Sequence, residues 1–230
     1  MRSNREDGLV TDIEVTAAAE LEIRPPKQRR SREAWNRVLD AGVAILEEGG
    51  YEAFTIAAVC ERASVAPPAI YARTTSKDAL FLAVYEHGIA RLRLEQDRLA
   101  EGRRWEGLAP PDLVRAVVAE TVWICLRNQA FLRAVVLISA AHPEVRRRGS
   151  RYSQELGELF AGALRAALSQ VTHPDADAAV RSCFGTVFAA AIIRVAYGPA
   201  FATPTPVDDD AFVAQLGETA ARYLVGRPAD

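Results

Sequence analysis

The stretch FTIAAVCERASVAPPAIYARTTSKDAL, residues 54–80, spells two short helices joined by a tight turn and the start of a third. Thr55 stands where a helix N-cap belongs, with a hydroxyl able to accept an orphan backbone N–H. Phe54 and Val59 occupy the flanking positions of a hydrophobic staple. Ile56, Val59, Cys60 and Ala63 fall on one helical face. Ser64-Val65-Ala66 breaks that helix. Pro67 and Pro68 open the next one, where a missing N–H costs nothing and φ is already set. Ile70 points to a core, Tyr71 and Arg73 point away from it, and Ser76 caps the following helix. Helices this short are not stable alone. The spacing therefore predicts a helix-turn-helix packed on a third helix, with its second helix offered to a DNA major groove.

Upstream, SREAWNRVLDAGVAILEEGGY (residues 31–51) predicts a helix from about Ser31 to Glu48. Trp35, Val38, Leu39, Gly42, Ile45 and Leu46 form its buried stripe. Gly49-Gly50 ends it through a left-handed C′ conformation. Residues 1–23 mix acidic side chains with alanines, with a helical tendency near Thr16–Glu22. Arg24, Lys27, Arg29, Arg30 and Arg32 then cluster around the first helix entry, which Pro25-Pro26 stiffens. Residues 1–30 are expected to be a flexible arm, basic near its end. Arg29 and Arg30 in such an arm can follow phosphates or enter a minor groove.

Residues 31–80 resemble the DNA-binding domain of the TetR family of transcriptional regulators. The resemblance rests on the Ser31–Tyr51 helix with its glycine stop, the Thr55-led helix, and the run from Ser64-Val65-Ala66 through Ile70-Tyr71 to Ser76-Lys77-Asp78-Ala79-Leu80. It implies that Ala66, Pro67, Pro68 and Ala69 face bases, and that Thr55, Tyr71 and Lys77 grip the sugar-phosphate backbone. A hydroxyl, a phenol and an ammonium suit that task. Arg73 can reach a phosphate or the O6/N7 edge of guanine. The chain departs from the family where Ala66, Pro67, Pro68 and Ala69 carry no hydrogen-bonding side chain, and where Thr74-Thr75 replaces an aromatic and its turn residue.

The remainder reads as further helices, at about 76–103, 111–127, 130–141, 143–170, 174–198 and 208–225. Pro143, Pro174 and Asp208 mark starts, and 102–111 and 198–206 are loops. No strand alternation or hairpin signal appears. The expected fold is all-α: a three-helix head at 31–77 and a helical ligand-binding and dimerisation domain at 78–230. By resemblance, the last two long helices form a homodimer. Phe184, Val187, Phe188, Ala191 and Val195 line one and Phe212, Leu216, Ala220 and Tyr223 the other, with Ala189 and Ala190 permitting close approach. The resemblance also implies a cavity for a small, largely apolar effector. Trp123, Leu126, Phe131, Leu137 and Phe160 are its candidate liners, and Asn128, Gln129 or Arg133 its polar anchors.

Composition sets outer limits. The 230 residues are 50% hydrophobic with a net charge of −2, so a nucleic-acid site must be a local basic patch rather than a global field. Three cysteines, Cys60, Cys125 and Cys183, lie far apart in apolar surroundings, which argues against a disulfide framework or a zinc site. The polar N-terminus lacks the hydrophobic run of a signal peptide, and the most apolar segment, Phe184–Ala196, reads as too short for a membrane span. A cytoplasmic protein without cofactor is expected. His87, His142 and His173 have no evident nucleophile or metal partner, and no P-loop, GxGxxG or GxSxG is present, so nothing asks for catalysis. The expected function is a TetR-like repressor that binds a palindromic operator as a homodimer and is released by its ligand. The alternative is a helical dimeric interaction protein that has lost specific DNA binding.

Overall fold

The computed structural model describes residues 29–171 and 173–226, and every element among them is helical. The expected arm, with Arg24, Lys27 and the helical tendency at Thr16–Glu22, lies outside the described residues. Only its last two residues, Arg29 and Arg30, fall within them. The chain divides into two units between Ala90 and Arg91, inside the long helix, where the sequence alone places the boundary at 77.

The first unit holds α1 (Arg29–Ala53), α2 (Ile56–Ala63), α3 (Pro67–Tyr71) and most of α4 (Lys77–Gln96). Helix α1 starts two residues before the expected Ser31, where Arg29 pairs with Glu33 one turn on at 3.5 Å. Its run is interrupted at Gly50, which takes φ +64° and ψ −164°. The positive φ is as expected, but this ψ belongs to the region open essentially to glycine alone rather than to a left-handed cap. One further turn, through Tyr51, follows before Phe54. Trp35, Val38, Leu39, Ile45 and Leu46 of α1 are buried, as their spacing predicts. They meet Phe54, Val59, Ile70, Leu80, Phe81 and Val84, all fully shielded from solvent. Phe81 sits edge-on to both Tyr51 (4.8 Å) and Phe54 (5.7 Å). Gly42 lets α1 and α4 close up: a Cβ there would overlap the methyls of Val84 and crowd the Phe54 ring.

Helix α4 ends at Gln96, short of the expected 103. Two 3₁₀ turns follow, Asp97–Ala100 and Gly102–Trp105. The indole of Trp105 folds back and donates to the Leu99 carbonyl at 3.1 Å, which a straight helix would prevent. The second unit continues with α5 (Pro110–Arg127), α6 (Gln129–Ser139), α7 (Pro143–Ala163), a 3₁₀ turn at Arg165–Gln170, α8 (Ala176–Tyr197) and α9 (Asp209–Val225). The axis bends 80° between α5 and α6 at Asn128. Helices α5 and α9 lie against each other, with Gly217 close to the Arg115 backbone. Val117, Val118, Ile124, Phe131, Leu156, Phe160, Val180 and Val187 build the core of this unit.

Helix α8 is longer than its most apolar segment suggested. Among the described residues it is long and apolar enough to cross a membrane, with mean hydropathy 1.5 over its best window. Here Val187, Ala191 and Val195 instead bury one side of it against the unit's core.

Candidate nucleic-acid interface

The geometry of the head follows from its caps. The Thr55 hydroxyl accepts from the Ala58 N–H at 3.1 Å, fixing the start of α2. Its own hydroxyl proton is left to donate outward. The turn after α2 closes through Ser64 in the left-handed conformation (φ 53°, ψ 49°). Ser64 N donates to Glu61 O and Val65 N to Cys60 O, the paired bonds of a Schellman motif. Helix α3 then starts at Ala66, which offers no side-chain cap, with two prolines in its first turn. Its single inward side chain, Ile70, is completely buried, while Ala66, Pro67, Pro68, Ala69 and Tyr71 are all exposed. Ser76 caps α4 by accepting from Ala79 N at 3.1 Å.

Of the residues expected to grip DNA, Thr55 and Tyr71 stand in solvent, Tyr71 with 57% of its surface exposed. Lys77 is half-buried, its ammonium 4.3 Å from the centre of the Tyr51 ring. Burial, with Asp78 and Glu52 nearby, pushes the Tyr51 phenol above its ordinary value, so it stays neutral beneath that cation. Arg73 is turned differently from the expectation. Its guanidinium donates to the Ser31 hydroxyl and lies 5.8 Å from the Trp35 ring, so it braces α3 against α1 instead of projecting outward like a free side chain. Thr74 is buried with its hydroxyl directed at the Ile70 carbonyl (3.4 Å), filling the place where the family carries an aromatic.

Arg29 and Arg30 sit in the first turn of α1 rather than in an arm, and both are exposed. With Arg32 and Arg37, also exposed on α1, they supply the local positive charge that a net-acidic chain needs for phosphate contact. Arg62 on α2 is committed elsewhere. It grips Glu48 in a two-pronged bond (2.6 and 2.5 Å) that ties α2 to α1, and this bond holds the Glu48 carboxyl below its usual range. His87 and Asp40, 2.8 Å apart, tie α4 to α1.

In the second unit, the expected effector liners Leu126, Phe131 and Phe160 are buried and Trp123 is half-buried. Arg133 and Leu137 are exposed on the outer side of α6, which removes Arg133 as an internal anchor. Asn128 is spoken for: it donates to Glu95 and to the Ile124 carbonyl, bracing the α5–α6 bend. The polar group that sequence reading missed is Gln96. It is buried, and its side-chain oxygen has no hydrogen-bond partner among the described residues. A glutamine at the end of a long charged helix gives no sign of burial in the sequence, because burial depends on tertiary neighbours rather than on local pattern.

The expected dimer residues divide. Ala191 is buried inside its own unit, on the same side of α8 as Val187 and Val195, and cannot face a second copy as placed. Phe184 and Phe188 are half-buried and stacked (5.5 Å), with Phe184 also against Phe160. The open side of α8 carries Ser182, Gly185, Thr186, Ala189, Ile193 and Tyr197. On α9, Phe212 and Leu216 are half-buried and Tyr223 is exposed.

Comparison with known proteins agrees with this geometry. Residues 38–84 match the family described as bacterial regulatory proteins, tetR family. The chain is 36% identical over 133 residues to the HTH-type transcriptional repressor KstR of Mycobacterium tuberculosis, covering 56% of this chain and 57% of that one. It is 35% identical over 91 residues to KstR of Mycolicibacterium smegmatis, covering 40% and 42%. The chain thus spans about half the length of the relatives it matches. Among solved structures, a TetR-family regulator from Mesorhizobium loti superposes with a TM-score of 0.65 at 12% identity, over 85% of this chain and 96% of that one. The fatty acid degradation regulator FadR of Bacillus halodurans gives 0.61 at 16%, over 86% and 97%. Likeness at this identity shows a shared fold.

Proposed function

We propose, from the premise that residues 38–84 form a TetR-family DNA-binding domain, that the chain represses transcription by seating α3 in the major groove of an operator. The observation that carries this is the split of α3: Ile70 is sealed in the core while every other side chain from Ala66 to Tyr71 is presented to solvent. A groove-reading helix needs this arrangement: one side chain anchoring it in the core and the others free to meet base edges. Arg29, Arg30, Thr55, Tyr71 and Lys77 are assigned to the sugar-phosphate backbone, and Arg73 to holding α3 at its angle. The relatives named as repressors support the sign of regulation.

Two copies are needed for a palindromic site, with heads spaced about 34–36 Å or a multiple apart. The open side of α8 and the outer residues of α9 are assigned to that pairing. Small residues at 182, 185, 186 and 189 allow close approach, and Ile193, Tyr197 and Tyr223 supply apolar area. An effector enters the second unit, with Gln96 as its polar contact. It acts by binding one arrangement of α4 better than the other. Duplex binding measured from low to high salt, alongside sedimentation of the free chain, tests the proposal. Affinity is expected to fall steeply with salt and the chain to sediment as a dimer. A chain that ignores every duplex at low salt overturns it.

A further inference from the structure

We propose that α3 reads its operator chiefly through the 5-methyl groups of thymine. This rests on the duplex-binding reading above and specifies what the same site selects.

Base edges are met by the first turn of a recognition helix. In this chain that turn offers no hydrogen-bonding side chain. Ala66, Pro67, Pro68 and Ala69 are all exposed and none has a polar side chain. The backbone offers little more: Pro67 and Pro68 have no N–H, and the Ala69 N–H is already given to the Ala66 carbonyl at 2.9 Å. The remaining long donor close by, Arg73, is engaged with Ser31 and Trp35. Tyr71 lies at the far end of α3, one turn beyond the tip.

An apolar tip pressed into a major groove strips water from the polar groups of any base pair it covers, thymine O4 included, and returns no partner to them. What distinguishes the bases is the thymine methyl, which such a tip gains from burying. That gain favours thymine opposite Ala66–Ala69, and it requires no donor from the protein.

The test uses the full chain and duplexes selected by it from a randomised DNA pool, with each thymidine then replaced singly by deoxyuridine. The exchange removes one methyl and leaves pairing intact, and protein folding is not in question. An affinity loss of about fourfold is expected at each thymine facing the tip, and at its mate in the second half-site. Placing 5-methylcytosine at a disfavoured cytosine facing the tip restores part of the binding. The exposed Ala69→Asn variant is expected to shift the selected base there from thymine to adenine. If every uridine duplex binds as tightly as its parent, the methyl-reading proposal is overturned while DNA binding stands. If the pool yields no bound duplex, the DNA reading itself falls and takes this proposal with it.

Discussion

Arg73 and Ser31 join the end of α3 to the first turn of α1, the guanidinium donating to the hydroxyl and lying 5.8 Å from the Trp35 ring. The orientation of α3 is thus tied to α1. Arg73→Ala is expected to destabilise the head by about 1–2 kcal/mol, from one hydrogen bond and one cation–π contact. Arg73→Lys loses most of this, since an ammonium cannot bond and lie over a ring as a planar fork does. Ser31→Ala loses a smaller share. Thermal unfolding checks the series, and an unchanged midpoint in all three variants refutes the brace.

Gly42 and Gly50 are intolerant for different reasons. A methyl at 42 collides with Val84 and Phe54 in the α1–α4 contact, and Gly42→Ala should cost roughly 1–3 kcal/mol through overpacking. A methyl at 50 meets nothing within 4 Å, but φ +64° with ψ −164° strains any L-residue, again by about 1–3 kcal/mol. Adding Val84→Ala should recover much of the first loss and none of the second. Urea unfolding of the single and double variants separates the two cases.

The second unit carries an ion network around a buried carboxylate. Glu120, with its side chain 8% exposed, takes Arg104 at 2.7 Å and Arg127 at 3.0 Å, and Arg127 also reaches Glu95 at 2.9 Å. Burial alone would raise the Glu95 carboxyl, but its bonds from Asn128 and Arg127 outweigh that and hold it below the ordinary value near 4.5. A carboxyl depressed in the folded state contributes stability above its unfolded value, and that contribution disappears as pH falls through the folded one. Unfolding between pH 6 and 3 should therefore show an acid loss that Glu95→Gln flattens. An identical acid limb in the variant counts against the network.

All three thiols are buried. Burial pushes Cys125 up to about 12 and Cys183 up to about 11, and raises Cys60 as well. At pH 8 none carries appreciable thiolate, the reactive form. Iodoacetamide should label the folded chain very slowly and all three sites quickly in denaturant. Fast labelling of Cys125 under native conditions would mean that α5 opens.

Gln96 is buried and its side-chain oxygen has no partner among the described residues, and such a group costs about 1–3 kcal/mol when nothing pairs with it. Gln96→Leu should raise the melting temperature of the free chain while weakening release from DNA by any effector found. A variant that is less stable, or fully responsive, argues that the amide has no ligand.

Much of the head was legible because its signals are local. Thr55, Ser64, Pro67 and Ser76 act within four residues of themselves, and each sits in the structure where its chemistry asks. The stripe of α1 was readable for the same reason, since helical periodicity records burial directly. What the sequence hid depends on distant partners. Arg73 looks like a free cation until Ser31 and Trp35, some forty positions away, are brought beside it. Ala191 and Ala189 are indistinguishable by composition, yet one faces the core and the other solvent. Gln96 is buried at the point where α4 gives way to 3₁₀ turns, which no pattern of polar and apolar residues reports.

Pro67 and Pro68 carry a thermodynamic implication of their own. Each pyrrolidine ring fixes one backbone torsion before any duplex arrives. On the proposed reading, such a tip surrenders little conformational entropy on docking, having lost it already when the chain folded. It would also have little capacity to adapt, so accommodation to an imperfect site would fall to the DNA, whose cost of deformation would become part of the selection.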